Sequence, residues 1–374
     1  MKTVLVTGAF GFIGSNLAAT LALDDQITVL KFGRENTDSD LKNYVEKADF
    51  IFHVAGVNRP KDDNEFTSGN KELTEKIITL LEQQKTPAPL LFTSSTHAER
   101  DSAYGESKKA AEDAVLRWAE KPSNRAFIYR LPNVFGKWSR PNYNSVVSTF
   151  CYNISHDLDI TINDRSTPLN LVYIDDVVTE CIRAFKGELT ESKSNFYDLP
   201  RSFNTTLGEI ADILASFKQS RVDLVMPSFE NIFHKFLYAT YVSYLDKDDF
   251  SYTLDMKRDD RGWLAEFIKA PAFGQIFLSR TKPGIARGNH WHHTKVEKFL
   301  VIEGDADITF RKLDTDEIIT YSVTGDTLQV VDIPTGYVHA IKNTGDSDLL
   351  TLFWANELLD PNAPDTHYQN VAKD

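Results

Sequence analysis

Four side chains in the last third of the chain have the types and spacing of a metal centre. Gly284-x5-His290-Trp291-His292-x4-Glu297-x6-Gly304 is followed by Pro334-Thr335-Gly336-x2-His339-x3-Asn343. Side chains alternate faces along a strand, so His290 and His292 are expected to point into a barrel while Trp291 and His293 point out. Glu297 returns from the next turn, and His339 arrives from a second hairpin. Three imidazoles and a carboxylate suit a divalent transition metal such as zinc, with room left for water or a substrate.

A second constellation lies in the first third. Tyr104-Gly105-Glu106-Ser107-Lys108 puts a phenol and an ammonium four residues apart at a predicted helix start, hence on one face. The ammonium is expected to stabilise the phenolate and lower a pKa that begins near ~10, making Tyr104 a usable acid or base. The pair follows Phe92-Thr93-Ser94-Ser95, the polar end of a predicted parallel strand, where ligands sit in open α/β sheets. Upstream, Thr7-Gly8-Ala9-Phe10-Gly11-Phe12-Ile13-Gly14 follows the first predicted strand and opens the first predicted helix. Gly8, Gly11 and Gly14 let the backbone turn tightly and approach a pyrophosphate on the positive end of that helix. After the second strand, Leu30-Lys31-Phe32-Gly33-Arg34 carries no carboxylate for a ribose hydroxyl. Arg34, with Lys31, suits a 2′-phosphate, so NADPH is expected rather than NADH.

The elements that must carry these groups are legible as short runs. Val4–Thr7, Ile27–Leu30, Phe50–Ala55, Leu90–Ser94 and Phe127–Arg130 read as buried strands, with Asn70–Glu82 and Glu106–Glu120 as crossover helices. This predicts an α/β fold with a Rossmann-type doubly wound parallel sheet. From about residue 250 closely spaced strands broken by Gly, Pro, Asn and Asp predict an all-β barrel or jelly roll. The polar stretch Leu245–Asp260 marks the boundary, giving domains 1–245 and 246–374. Two domains also suit a length of 374 residues.

Composition narrows the partners. A net charge of −13 argues against nucleic acid and anionic membranes, which need clustered Lys and Arg, but not against a small anion held by a few local donors. No segment approaches the ~20 apolar residues of a membrane span, and the stretch ending at Gly8 is too short for a signal-peptide core. Cys151 and Cys181 form no close-spaced pair. A reduced, cytoplasmic protein is expected.

With Thr7–Gly14, His53-Val54-Ala55-Gly56, Ser94-Ser95, Tyr104–Lys108 and Arg130-Leu131-Pro132-Asn133-Val134-Phe135-Gly136 together, residues 1 to about 245 resemble an extended short-chain dehydrogenase/reductase acting on nucleotide sugars. The resemblance implies that Tyr104 donates the proton, Lys108 orients the nicotinamide ribose, Ser95 hydrogen-bonds the reacting oxygen, Ala55 and Gly56 line the cofactor, and Asn133 touches the sugar nucleotide. Nine positions from Ser95 to Tyr104 is a short interval for the family, which leaves Ser94 and Thr96 open for the serine's role. Leu169 stands where a diphosphate-binding Arg is common, and Arg165 is the substitute. Family members that eliminate water carry an acid/base pair after the serine. This chain has Thr96-His97, so simple ketone reduction is expected.

Residues 262 to about 360 resemble both cupin signatures, with Leu328 where a Gly is usual. A dehydrogenase fused to a metal cupin resembles the bifunctional capsular-polysaccharide enzymes. In these the cupin half epimerises C3 of a UDP-linked 4-keto amino sugar and the other half then reduces C4. The implied substrate is UDP-2-acetamido-2,6-dideoxy-β-L-arabino-4-hexulose, the implied product its talo-configured alcohol, and the expected assembly a homodimer. The order is chemically required, because the C3 proton is acidic only while the C4 ketone can accept charge. His293, Lys295 and Tyr337 are the candidates for moving that proton, His293 being expected to face outward. Two other readings remain open: an NADPH- and carbohydrate-binding protein without turnover, against which Tyr104 and Lys108 speak, and a cupin oxygenase holding iron.

Overall fold

The computed structural model describes residues 1–59, 66–190, 192–313 and 315–372. The chain divides into two compact units, Met1–Ala215 with Ile232–Asp246, and Ser216–Asn231 with Lys247–Asp374.

The first unit is built on a five-stranded parallel sheet of β1 (Lys2–Thr7), β2 (Ile27–Phe32), β3 (Phe50–His53), β4 (Leu90–Ser95) and β5 (Ala126–Leu131), in the order β2-β1-β3-β4-β5. Val4, Leu5 and Val6 are all fully buried, as expected of strands covered on both faces. Five helices cover them: α1 (Phe12–Leu21), α2 (Asp38–Lys47), α3 (Leu73–Glu82), α4 (Ala103–Ala119) and, beyond α5 (Val146–Ser155), α6 (Ile174–Lys186). One face packs Leu5, Ile51, Leu90 and Ile128 against Leu41, Ile77 and Val115. On the other, Phe185 of α6 meets Phe50 edge-on at 5.6 Å. β3 is two residues shorter than expected because the chain turns away after His53, where the Ala55 amide bonds the Thr7 hydroxyl at 3.3 Å.

Strand order reverses between β1 and β3. In doubly wound sheets ligands bind outside the carboxyl ends at such a point, and Gly8 and Ala55–Gly56 follow those two strand ends. A smaller sheet of β6 (Asn133–Phe135), β7 (Pro168–Tyr173) and β8 (Phe203–Thr206) follows. After it come α7 (Leu207–Asp223) and α8 (Ile232–Val242).

The main segment of the second unit, from Lys247 on, is built of two sheets in which every strand pair is antiparallel. One sheet contains β9 (Met256–Asp259), β10 (Gly262–Ala270), β11 (Gly274–Thr281), β13 (Glu297–Glu303), β16 (Val330–Ile333) and β18 (Leu349–Ala355). The other contains β12 (Ala286–Trp291), β14 (Asp305–Lys312), β15 (Ile318–Thr324), β17 (Tyr337–Asn343) and β19 (His367–Tyr368). Phe299, Val301 and Phe353 of the first sheet share a core with Ile308, Phe310 and Ile341 of the second. Segment Ser216–Asn231 belongs to this unit rather than the first. Its backbone pairs with β10, the Met226 amide on the Lys269 carbonyl at 2.6 Å and the Lys269 amide on the Leu224 carbonyl at 2.8 Å.

Candidate active site and metal centre

In the first unit, the glycine-rich turn is folded so tightly that side chains are excluded. Gly8 has φ +67°, and a Cβ on it would stand 2.7 Å from the Ala55 Cα. A Cβ on Gly14 would stand 2.1 Å from the Gly8 carbonyl oxygen. Gly14→Ala is therefore expected to cost about 1–3 kcal/mol by forcing turn and helix apart, measured as a lower melting temperature with weaker dinucleotide binding. Gly11 caps α1, whose first turn carries no acidic residue, leaving its amides to an anion. Phe12 and Ile13 open that helix, and Phe10 is exposed, its ring against Gly33. Arg34 is exposed just past β2 and makes no hydrogen bond or ion pair with the described residues.

Tyr104 lies in the first turn of α4, capped by the Ser102 hydroxyl, which accepts from the Gly105 amide at 3.1 Å. Glycine is needed at 105, since a Cβ there would stand 2.4 Å from the His97 carbonyl oxygen. The helix is clamped to β5 by fully buried Glu112, which accepts from Arg130 Nε at 2.9 Å and Nη2 at 2.7 Å. Of the three hydroxyls around the end of β4, Ser95 is the one that acts on the Tyr104 phenol, favouring its ionised form. Ser94 is buried without a partner among the described residues, and Thr96 is exposed.

The expected depression of the Tyr104 pKa by Lys108 is not what the site contains. Burial raises it, and only the Ser95 hydrogen bond opposes that. The reason is where the ammonium goes. Lys108 is buried, donates to the Thr93 carbonyl at 2.8 Å and lies 4.5 Å from the Phe92 ring centroid, and burial lowers its own pKa to about 8. A protonated phenol is the form that donates a proton, so the raised value suits ketone reduction in the forward direction.

Asn70 was not singled out in the sequence, yet it ties these parts together. Fully buried, it accepts from the Val57 amide at 2.9 Å and donates to the Ser107 hydroxyl at 3.0 Å. A Cβ on Gly56 would stand 3.1 Å from its Oδ1 and 3.6 Å from Lys108 Nζ, so the loop after β3 opens onto the lysine. Asn133 is exposed at the start of β6. Arg165 is exposed and engaged by Asp212, with both carboxylate oxygens at 2.7 Å from Nη2.

In the second unit the four expected metal ligands meet. One donor atom from each of His290, His292, Glu297 and His339 lies within 4.8 Å of the others. Glu297 Oε2 is 3.4 Å from His292 Nε2 and 3.2 Å from His339 Nε2. All three atoms are buried with no hydrogen-bond partner. The opposite nitrogens are satisfied, Nδ1 of His292 on the Asp365 carbonyl and Nδ1 of His339 on the Tyr337 carbonyl at 3.3 Å. Such bonds set the tautomer and aim Nε2 at a metal. Burial, with the nearby His339 and His292, pushes His290 down to about 4. Although burial raises Glu297, the His292 and His339 rings beside its Oε2 hold it at about 2. An unprotonated His290 and an ionised Glu297 are donor states that a divalent cation requires, so these residues fit one.

The ligands reach the site by more than simple alternation. His290 pairs with His339 across a bulge at Gly288–His290, where Asn289 takes φ +58°, and His292 lies one residue beyond the end of β12. His293 is exposed, against Trp291 and His367 at 4.5 and 4.9 Å. Tyr337 packs on the apolar core. Lys295 is buried in the loop just before β13, and its ammonium makes no hydrogen bond or ion pair with the described residues.

A parallel sheet with a glycine cradle at its switch point and a Tyr/Lys helix define a dinucleotide-dependent enzyme, here joined to a two-sheet domain with a His/Glu group that could hold a metal. The chain belongs to the NAD dependent epimerase/dehydratase family, which matches residues 4–197, and residues 257–367 match the polysaccharide biosynthesis C-terminal domain. It is 42% identical over 370 residues to UDP-2-acetamido-2,6-beta-L-arabino-hexul-4-ose reductase of Pseudomonas aeruginosa PA103, covering 99% of each chain. Among solved structures it is similar to the capsular polysaccharide assembling protein CapF of Staphylococcus aureus, with a TM-score of 0.92 and 48% identity over 98% of this chain and 100% of that one. It is also similar to CapF with the inhibitor 3-isopropenyl-tropolone, with a TM-score of 0.88 and 44% identity over 99% of this chain and 100% of that one. No described helix is long and apolar enough to cross a membrane.

Proposed function

We propose that the chain makes a UDP-linked 2,6-dideoxy amino sugar for a surface polysaccharide in two steps. The domain at 246–374 epimerises C3 of UDP-2-acetamido-2,6-dideoxy-β-L-arabino-4-hexulose, and the domain at 1–245 then reduces the C4 ketone. The observation that carries the reading is the full-length likeness to a reductase named for that substrate class.

NADPH bound at Gly8–Gly14 would supply the hydride. Tyr104 gives its proton to the ketone oxygen while Ser95 hydrogen-bonds the same atom, and Lys108 holds the ribose hydroxyls from beside Gly56. Asn133 contacts the sugar nucleotide, and Arg165 contacts its diphosphate after release from Asp212. In the second domain a zinc ion held by His290, His292, Glu297 and His339 would supply Lewis-acid stabilisation of negative charge on the ketone oxygen. NADPH and two free, buried cysteines suit the cytoplasm, and we take the working form to be a homodimer.

Incubation with the 4-keto UDP-sugar and NADPH, followed by NMR of the product, tests the whole reading. The expected product is the talo-configured alcohol, and a product with C3 unchanged would remove the epimerase half. Cofactor choice is tested separately. Arg34→Asp removes a phosphate partner and adds a repelling charge, so the preference for NADPH over NADH should fall by roughly 10- to 100-fold, the worth of a hydrogen bond to a charged group. An unchanged preference would exclude Arg34 from the site.

A further inference from the structure

The metal ligands sit on three strands and a turn, but the group that holds the turn comes from far along the chain. His292 and Glu297 are joined by residues 293–296. The amides of His293, Thr294 and Lys295 all donate to the Asp365 carboxylate, at 2.9, 2.8 and 3.0 Å, and the Thr294 hydroxyl adds a bond of 3.1 Å. The main-chain carbonyl of the same residue accepts from His292 Nδ1. One residue therefore governs both the ring of a ligand and the loop connecting it to the next ligand.

Asp365 is itself held in place. Just after it, β19 pairs with β12, His367 against Trp291 and Tyr368 against His290. The Gln369 amide donates to the Asn289 carbonyl at 2.9 Å, and the Val371 amide to Asn289 Oδ1 at 3.2 Å, at the bulge that aims His290. Arg311, almost fully buried, has no carboxylate partner among the described residues. Its Nε and Nη2 donate instead to the carbonyls of Val371 and Asn370 at 2.6 and 3.1 Å. A guanidinium is costly to bury, and while Nη1 donates to the Thr315 carbonyl at 3.3 Å, the other two bonds pin the segment that carries Asp365.

We propose that Asp365 is the positioning residue of the metal centre: its carbonyl sets the His292 ring and its carboxylate fixes the loop between His292 and Glu297. The proposal rests on the reading of His290, His292, Glu297 and His339 as metal ligands. Outer-shell partners of this kind govern affinity by about 10- to 100-fold.

The test uses cobalt(II) as the probe, titrated into the full-length apoprotein against a chelator, with the visible spectrum of the loaded protein recorded. Asp365→Ala is expected to weaken cobalt binding by about 10- to 100-fold and to change the spectrum. Asp365→Asn keeps one acceptor oxygen and should fall between Asp365→Ala and the unaltered protein on both measures. A purely structural role would lower the melting temperature and leave affinity and spectrum as they were. That result in both variants overturns the proposal, and if Asp365→Ala does not fold, Asp365→Asn alone decides by the same criterion. An unaltered protein that binds no cobalt would instead refute the ligand reading underneath.

Discussion

Replacing Tyr104 by Phe is expected to lower ketone reduction by about 10² to 10⁴, the usual contribution of a positioned acid. The ring is expected to keep its packing, its centroid lying 5.6 and 6.0 Å from those of Phe66 and His97. Lys108 stays bonded to the Thr93 carbonyl, and Ser95 keeps the bond from the His97 amide at 3.1 Å. The variant therefore removes a proton donor and little else, and NADPH affinity should be near that of the unaltered protein. NADPH consumption with the 4-keto sugar measures it. Undiminished turnover would end the assignment of Tyr104.

His290→Ala is the corresponding change in the second unit. The imidazole lies 4.5 Å from the His339 ring and 4.8 Å from that of His292, and its loss leaves three donors around a space built for four. Metal content after dialysis should fall well below one ion per chain. Epimerisation at C3 should drop by more than about 10²-fold, beyond what loss of an outer-shell partner costs. Because each unit has its own apolar core, NADPH binding should be retained. Metal analysis and C3 exchange measure the two losses, and full metal content would show that His290 is dispensable as a ligand.

The elements carrying both sites were legible because each leaves a local trace. Val4–Val6 is an unbroken apolar run because the strand is covered on both faces. The spacing of His290, His292 and Glu297 records a strand, a turn and a strand. What was not legible depends on distant contacts. The order β2-β1-β3-β4-β5 is a property of pairing between strands, and no single strand carries it. The Tyr104 pKa was expected to fall, since spacing reveals a neighbouring lysine but neither the burial that raises the phenol nor the Thr93 carbonyl that takes the ammonium. Segment 216–231 reads as a continuation of the first domain until its backbone is seen on Lys269. Asp365 acts across some 70 residues, and only the bonds reveal it.

Deuterium incorporation at C3 tests the two-step account most directly, because on that account proton removal there needs the ketone and the second unit but no hydride. The 4-keto UDP-sugar is incubated in deuterated water without NADPH, with Tyr104→Phe in one vessel and His290→Ala in another. The account predicts rapid exchange at C3 with Tyr104→Phe and none above background with His290→Ala. Equal exchange by the two variants would contradict it, and the second unit would then not be an epimerase.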